Sequence, residues 1–214
     1  MRFFLILVSS CLLLASCKDE VKVEKSYYPS GQIHTVAPMK NGVLDGRFVS
    51  YYLNGNVEIS VDYQYGVVHG KYLKYYYKGV LQETYTYVEG KREGPATIHD
   101  EFGTIVEELF YVNDTLNGPM IEYTDFGEIT VLGNYTKGKK DGSWSFWDPR
   151  GEKIGEATFN MGTGTIYSFY SDGRISIESP FVDDKKHGVE KYYDKKGKLV
   201  KEITYEHDVI VKEN

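Results

Sequence analysis

The sequence predicts an all-β chain, with tandem hairpins of 24 residues laid side by side in one elongated, twisted antiparallel sheet. Three observations carry this. Glycines fall on a beat of 24 residues, apolar and polar residues alternate between them, and two columns of aromatic residues keep the same beat. Internal periodicity of this length is the signature of a repeat architecture, in which each unit buries its apolar side chains only against its neighbours.

The first element is a leader. The chain opens MRFFLILVSSCLLLASCKDE, with Arg2 ahead of an apolar run from Phe3 to Ala15. That run has 13 residues, against about 20 for a helix that spans a bilayer. A positive start, a short apolar stretch and small residues before a cut describe a secretory signal over residues 1–16. Leu14-Ala15-Ser16-Cys17 resembles a bacterial lipobox, which makes Cys17 the expected site of lipid attachment. Two or more acyl chains are what stable anchoring requires. Residues 17–26 are then a lipidated N-terminus and tether. Lys18-Asp19-Glu20 resembles the charged tether that takes some Gram-negative lipoproteins to the outer membrane and to the cell surface. The expected location is therefore the cell envelope, outer membrane before inner.

Cleavage before Cys17 leaves 198 residues, enough for one substantial array. Cys17 would be the one remaining cysteine, so no internal disulfide is expected. The net charge of −6, about −7 without Arg2, argues against a nucleic-acid partner, which needs a basic face.

Residues 27–214 are the array, about eight units with the first and last incomplete. One glycine series runs Gly31, Gly55, Gly79, Gly103, Gly127, Gly151, Gly173, Gly197, and a second runs Gly46, Gly70, Gly94, Gly118, Gly142, Gly164, Gly188. A third holds Gly42, Gly66, Gly90, Gly138 and Gly162, with Asp114, Asp184 and Asp208 in its other places. Together these take 20 of the 22 glycines, which leaves no room for coincidence. Gly162-Thr-Gly164 stands where other units have a loop two residues longer, the kind of change a loop tolerates.

Between the glycines the period is two, as in Val57-x-Ile59-x-Val61-x-Tyr63, which is strand periodicity. Asn54-Gly55 and Asp172-Gly173 are hairpin tips. One aromatic column reads Tyr27, Tyr51, Tyr75, His99, Tyr123, Trp147, Phe169, Tyr193; the other reads Met39, Tyr63, Tyr87, Tyr111, Tyr135, Phe159, Phe181, Tyr205. An aliphatic column holds Ile33, Val57, Leu81, Ile105, Ile129, Ile175 and Leu199, with Lys153 as its exception. The rings are expected to form ladders along one face of a sheet of about 16 strands, each cross-strand pair contributing roughly 0.2–1 kcal/mol.

The pattern Tyr-Tyr-x-x-Gly-x-Val/Leu-x-x-x-x-x-Tyr-x-x-Gly-x-x-x-Gly at residues 51–70 and 75–94 resembles the variant form of the MORN repeat (membrane occupation and recognition nexus). The resemblance covers about residues 27 to 210. It is similar to bacterial proteins with tandem copies, many of them lipoproteins and often labelled the antitoxin component of a toxin–antitoxin system. The resemblance therefore implies the hairpin array and, as one functional expectation, neutralisation of a toxin by binding.

No catalytic constellation is expected. His34, His69, His99, His187 and His207 have no metal-ligand spacing. Asp100, Asp148 and Asp194 open turns rather than calcium loops. Glu107 and Glu108 are strand neighbours and point to opposite faces. Cofactors are expected to be absent and the protein not to be an enzyme. Two departures from the repeat suggest binding. Trp144 and Trp147 are both tryptophans of the protein, three residues apart, and could stack on sugar or anchor a protein. The basic pairs Lys91-Arg92, Lys139-Lys140 and Lys185-Lys186 recur in one loop of every other unit and should line one edge about 19 Å apart. Phosphates or an acidic partner would suit them. The expected function is a non-catalytic, membrane-anchored platform for a protein or glycan partner; the alternative is an antitoxin or immunity protein.

Overall fold

In a computed structural model that describes residues 20–213, the chain is one open antiparallel sheet of 22 strands. Successive long strands pair in chain order, from Val21–Tyr27 at one edge to Val209–Glu213 at the other, and each two-residue strand pairs with the long strand before it. The number exceeds the expected 16 because five strands are two-residue pieces, such as Lys91–Arg92, created where the chain leaves a loop. The first strand also occupies residues assigned above to the tether. Val21, Val23 and Lys25 pair with Lys40, Pro38 and Val36, so backbone hydrogen bonding extends the sheet beyond the point where the aromatic columns begin. The expected leader, residues 1–16, and Cys17 lie outside the described residues.

Each unit has two different turns. At the tips the glycine alone has positive φ, as at Gly55 (87°) and Gly173 (83°), and each tip is followed by a register shift. At the opposite ends two successive residues have positive φ: Asn41-Gly42, Tyr65-Gly66, Glu89-Gly90 and their equivalents. That is the backbone of a two-residue hairpin matched to strand twist. Asp114, Asp184 and Asp208 take the second place at 66°, 62° and 71°, a conformation aspartate tolerates better than most residues. These loops also bond to one another, the nitrogens of Gly66, Gly90 and Asp114 donating to the carbonyls of Leu44, Val68 and Arg92.

Register fixes the columns. Tyr51, Tyr75, Tyr123 and Tyr193 lie directly across from Val57, Leu81, Ile129 and Leu199 of the same hairpin. Tyr63, Tyr87, Tyr111, Tyr135, Phe159, Phe181 and Tyr205 each lie across from a glycine of the second series. Six of these glycines, Gly46, Gly70, Gly94, Gly118, Gly142 and Gly188, have positive φ, which glycine adopts without steric cost. The two aromatic columns do not share a face as expected. Strand Gly142–Trp147 shows why: Trp144 belongs with the second column's face, and Trp147, three residues on, takes the other.

On the second column's face one row crosses the middle of the sheet: Phe48, Val61, Tyr72, Tyr85, Ala96, Leu109, Met120, Gly133, Trp144, Ala157, Ile166, Ser179, Glu190, Ile203. The buried apolar cluster on this face is Met120, Trp144, Ala157 and Phe159, surrounded by Leu109, Val131, Tyr135, Phe146, Ile166 and Phe181. Large rings alternate with small residues, so a single layer still buries its centre. Gly133 and Gly155, the two glycines off the beat, explain themselves here. A Cβ on Gly133 would stand 2.3 Å from the Trp144 ring, and one on Gly155 would stand 2.9 Å from the Tyr167 carbonyl and 3.3 Å from Phe146.

Candidate functional site

The opposite face is polar, and near the tryptophans it opens into a groove of about 620 Å³. Two adjacent rows form its floor. One is Ser145, Glu156 and Tyr167; the other is Ser143, Thr158 and Thr165, each residue directly opposite the next. Lys153 closes one side and bonds Glu156 at 2.8 Å, so the charged members neutralise each other. The hydroxyls of Ser143, Ser145, Thr158 and Thr165 have no hydrogen-bond partner among the described residues. Elsewhere on the sheet, paired hydroxyls satisfy one another, Thr84 with Thr97 at 2.8 Å and Ser26 with Thr35 at 2.7 Å. The groove thus offers donors and acceptors that the fold itself leaves unused.

Ala157 and Trp144 also line the groove, but Trp144 holds its ring within the buried cluster. It is 2% exposed and packs edge-on against Tyr135 and Phe159 on the covered face, with Phe146 beside it. Its indole Nε1 finds no hydrogen-bond partner. Trp147 lies on the groove's face, two residues from Ser145 and opposite Lys153. The two tryptophans are therefore not one cluster. Trp144 is core, and Trp147 is half-buried and outside the groove's lining.

The basic pairs keep a common loop position but are split in role. Arg92, Lys140 and Lys186 lie across from Tyr87, Tyr135 and Phe181 and turn over aromatic rings. The Arg92 guanidinium is 4.2 Å from the Tyr111 centroid, Lys140 Nζ 5.6 Å from Trp144, and Lys186 Nζ 4.9 Å from Tyr205. Each of these residues also donates its backbone nitrogen to an aspartate of a following loop: Arg92 to Asp114, Lys140 to Asp184, Lys186 to Asp208. Those are the three aspartates that replace the third-series glycine. The exchange of Gly for Asp and the basic pairs are one feature, which reading each column by itself missed. Among the first members, Lys139 bonds Asp183 at 2.7 Å, while Lys91 and Lys185 are exposed.

One buried charge interrupts the apolar row. Glu190 is 1% exposed and accepts hydrogen bonds from Ser179 and Tyr192, both at 2.6 Å, and from Lys186. Burial pushes its carboxyl up, but the bonds from Lys186, Ser179 and Tyr192 together hold it below the usual range. Tyr192, bonded to that carboxylate, is pushed up. Of the other ionisable residues considered above, burial raises Glu107, with Glu122 adding to it. No group of three or more potential metal ligands occurs among the described residues.

Residues 20–41, 44–65 and 186–207 match the profile of the MORN repeat variant. The matched segments are the first two units and one near the end, and the intervening hairpins repeat their register. No curated protein matches the chain.

Proposed function

We propose that the chain is a non-catalytic repeat platform, held at the bacterial cell envelope by acyl chains on Cys17, whose polar face grips an envelope glycan. The observation that carries this reading is the set of four unpartnered hydroxyls meeting in one open groove. Sugar hydroxyls pair with such groups in place of water, the neutralised Lys153–Glu156 pair suits an uncharged ligand, and Tyr167 offers a ring for stacking. The first strand begins at Val21, four residues beyond Cys17, so an anchor there holds the first sheet edge within roughly 13 Å of the bilayer.

Two measurements test it. Residues 18–214 are expected to bind polysaccharide from envelope extract, and filling the groove with Ser145→Arg and Thr158→Arg is expected to abolish binding while the spectrum of the fold persists. Undiminished binding by the filled variant would remove the groove from the reading. Capture of a protein instead, lost in the same variant, would keep the platform and change its partner. Replacing Cys17 by Ala is expected to release the protein from the membrane fraction; retention would refute the anchor.

A further inference from the structure

Phe102 and Phe126 are 91% and 92% exposed at the tips of adjacent hairpins. The same place, just before the tip glycine, holds Ser30, Asn54, Lys78, Arg150, Asp172 and Lys196 in the other units. Turn geometry therefore asks for no ring there, since the positive φ belongs to the following glycine. Each phenylalanine follows an exposed acid, Glu101 or Asp125, that has no charged partner among the described residues. Two acid-Phe-Gly tips thus stand two strands apart, about 10 Å, on one edge of the sheet.

Farther along that edge the chemistry reverses. Lys195, Lys196 and Lys198 surround the last tip and are exposed; among the described residues none forms a salt bridge, Asp194 taking the backbone nitrogens of Lys196 and Lys198 and Lys195 lying over the Tyr170 ring. Beside them lies a cavity of about 270 Å³ lined by Arg174, Ile175, Glu178, Tyr193 and Gly197. Asp172 already bonds Arg174, whose hydrogen bond and charge bring the Asp172 carboxyl down to about 2, so the tip's remaining positive charge is lysine.

We infer that the Phe102 and Phe126 tips dock on the lysine-rimmed cavity of a second copy of this chain. Burial of a phenylalanine ring contributes roughly 1.5–3 kcal/mol. Glu101 and Asp125 then face Lys195, Lys196 and Lys198, which orients the tip. The acids beside both rings disfavour an anionic lipid surface, and the complementary site is already present in the sequence. The two patches are different surfaces, so the contact is heterologous and permits association beyond a pair. This surface is separate from the groove and stands whether or not the groove binds glycan.

Sedimentation of residues 20–213, which hold all 22 strands, tests the inference. The weight-average mass is expected to rise with concentration, and raising salt from about 0.05 to 0.5 M is expected to weaken association roughly tenfold. Phe102→Ser with Phe126→Ser is expected to leave a monomer at every concentration. Glu101→Lys with Asp125→Lys is expected to do the same, and adding Lys195→Glu with Lys196→Glu is expected to restore association. A wild-type chain that stays monomeric at about 100 µM, or a phenylalanine double variant that associates as before, would overturn it. Failure of the reversed charges to restore association would refute the stated docking partner.

Discussion

Turns in the first three hairpins and turns in the later ones share a backbone but are secured differently. Tyr28, Tyr52 and Tyr76 donate their hydroxyls to the carbonyls of Tyr51, Tyr75 and His99, each 23 residues on, so each turn is tied to the next hairpin. Asp100, Thr124, Asp148 and Asp194 take the same place and accept two backbone N–H groups of their own turn. Tyr170 returns to the first arrangement, donating to Tyr193 at 2.6 Å. In a linear array, stability divides into terms within units and terms between neighbours. The tyrosines add to coupling between hairpins, the aspartates and the threonine to the hairpin that holds them. The centre, where turn bonds are internal, has its cohesion from the Trp144 core instead.

Perturbing that core should therefore cost most. Trp144→Ala is expected to destabilise by about 4 kcal/mol in urea unfolding followed by circular dichroism. Gly133→Ala, which drives a methyl into the indole, should cost about 3 kcal/mol by overpacking. If either change costs less than about 1 kcal/mol, well under these magnitudes, the centre is not held by this cluster.

Next comes the buried carboxylate. Glu190→Gln is expected to cost about 2 kcal/mol at pH 7, since it weakens bonds to three partners. The folded pKa lies below the ordinary 4.5, so the stabilisation is full above 4.5 and is lost as pH falls through the folded value. Wild type and variant should therefore converge once the pH falls below that folded value. A gap that is independent of pH would mean that the substitution disturbs packing rather than charge.

The turn comparison itself is sharpened by Tyr52→Phe and Asp100→Ala. Each is expected to cost about 1 kcal/mol, but hydrogen exchange should separate them. Tyr52→Phe should speed exchange in its own hairpin and in the one that ends at Tyr75, whereas Asp100→Ala should act only around residues 100–104. Identical exchange patterns would erase the distinction. Smallest of all, Lys139→Met is expected to shift stability by a few tenths of a kcal/mol, because its pair with Asp183 is exposed.

Much of the fold was legible because glycine and aromatic positions report backbone needs directly. Gly55 and Gly46 both have positive φ, Tyr63 lies across from Gly46, and these placements recur with the period. The faces were less legible. A register shift beside each tip separates the two columns, and no residue type marks which one carries the buried row. Val21–Tyr27 was hidden because edge pairing needs backbone alone. The tryptophan-bearing strand was visible and the groove beside it was not: Ser143, Thr158 and Thr165 come from three strands whose hydroxyls become a set only through register. Signals were present in two places. Gly133 and Gly155 fall off the beat because they seat neighbouring rings, and Asp114, Asp184 and Asp208 follow the basic pairs they bind.

The two-residue shortening at Gly162-Thr-Gly164 brings together loops that are ordinarily two units apart. Lys140 bonds Asp184 and Lys139 bonds Asp183, each across 44 residues, and the Gly162 Cβ position is already crowded by Asp184 at 3.0 Å. Near-identical modules can be stitched together one module out of phase, a hazard of folding for any tandem chain. In a chain misaligned by one module both lysines would lose these acids, so the clasp is expected to favour the native phase.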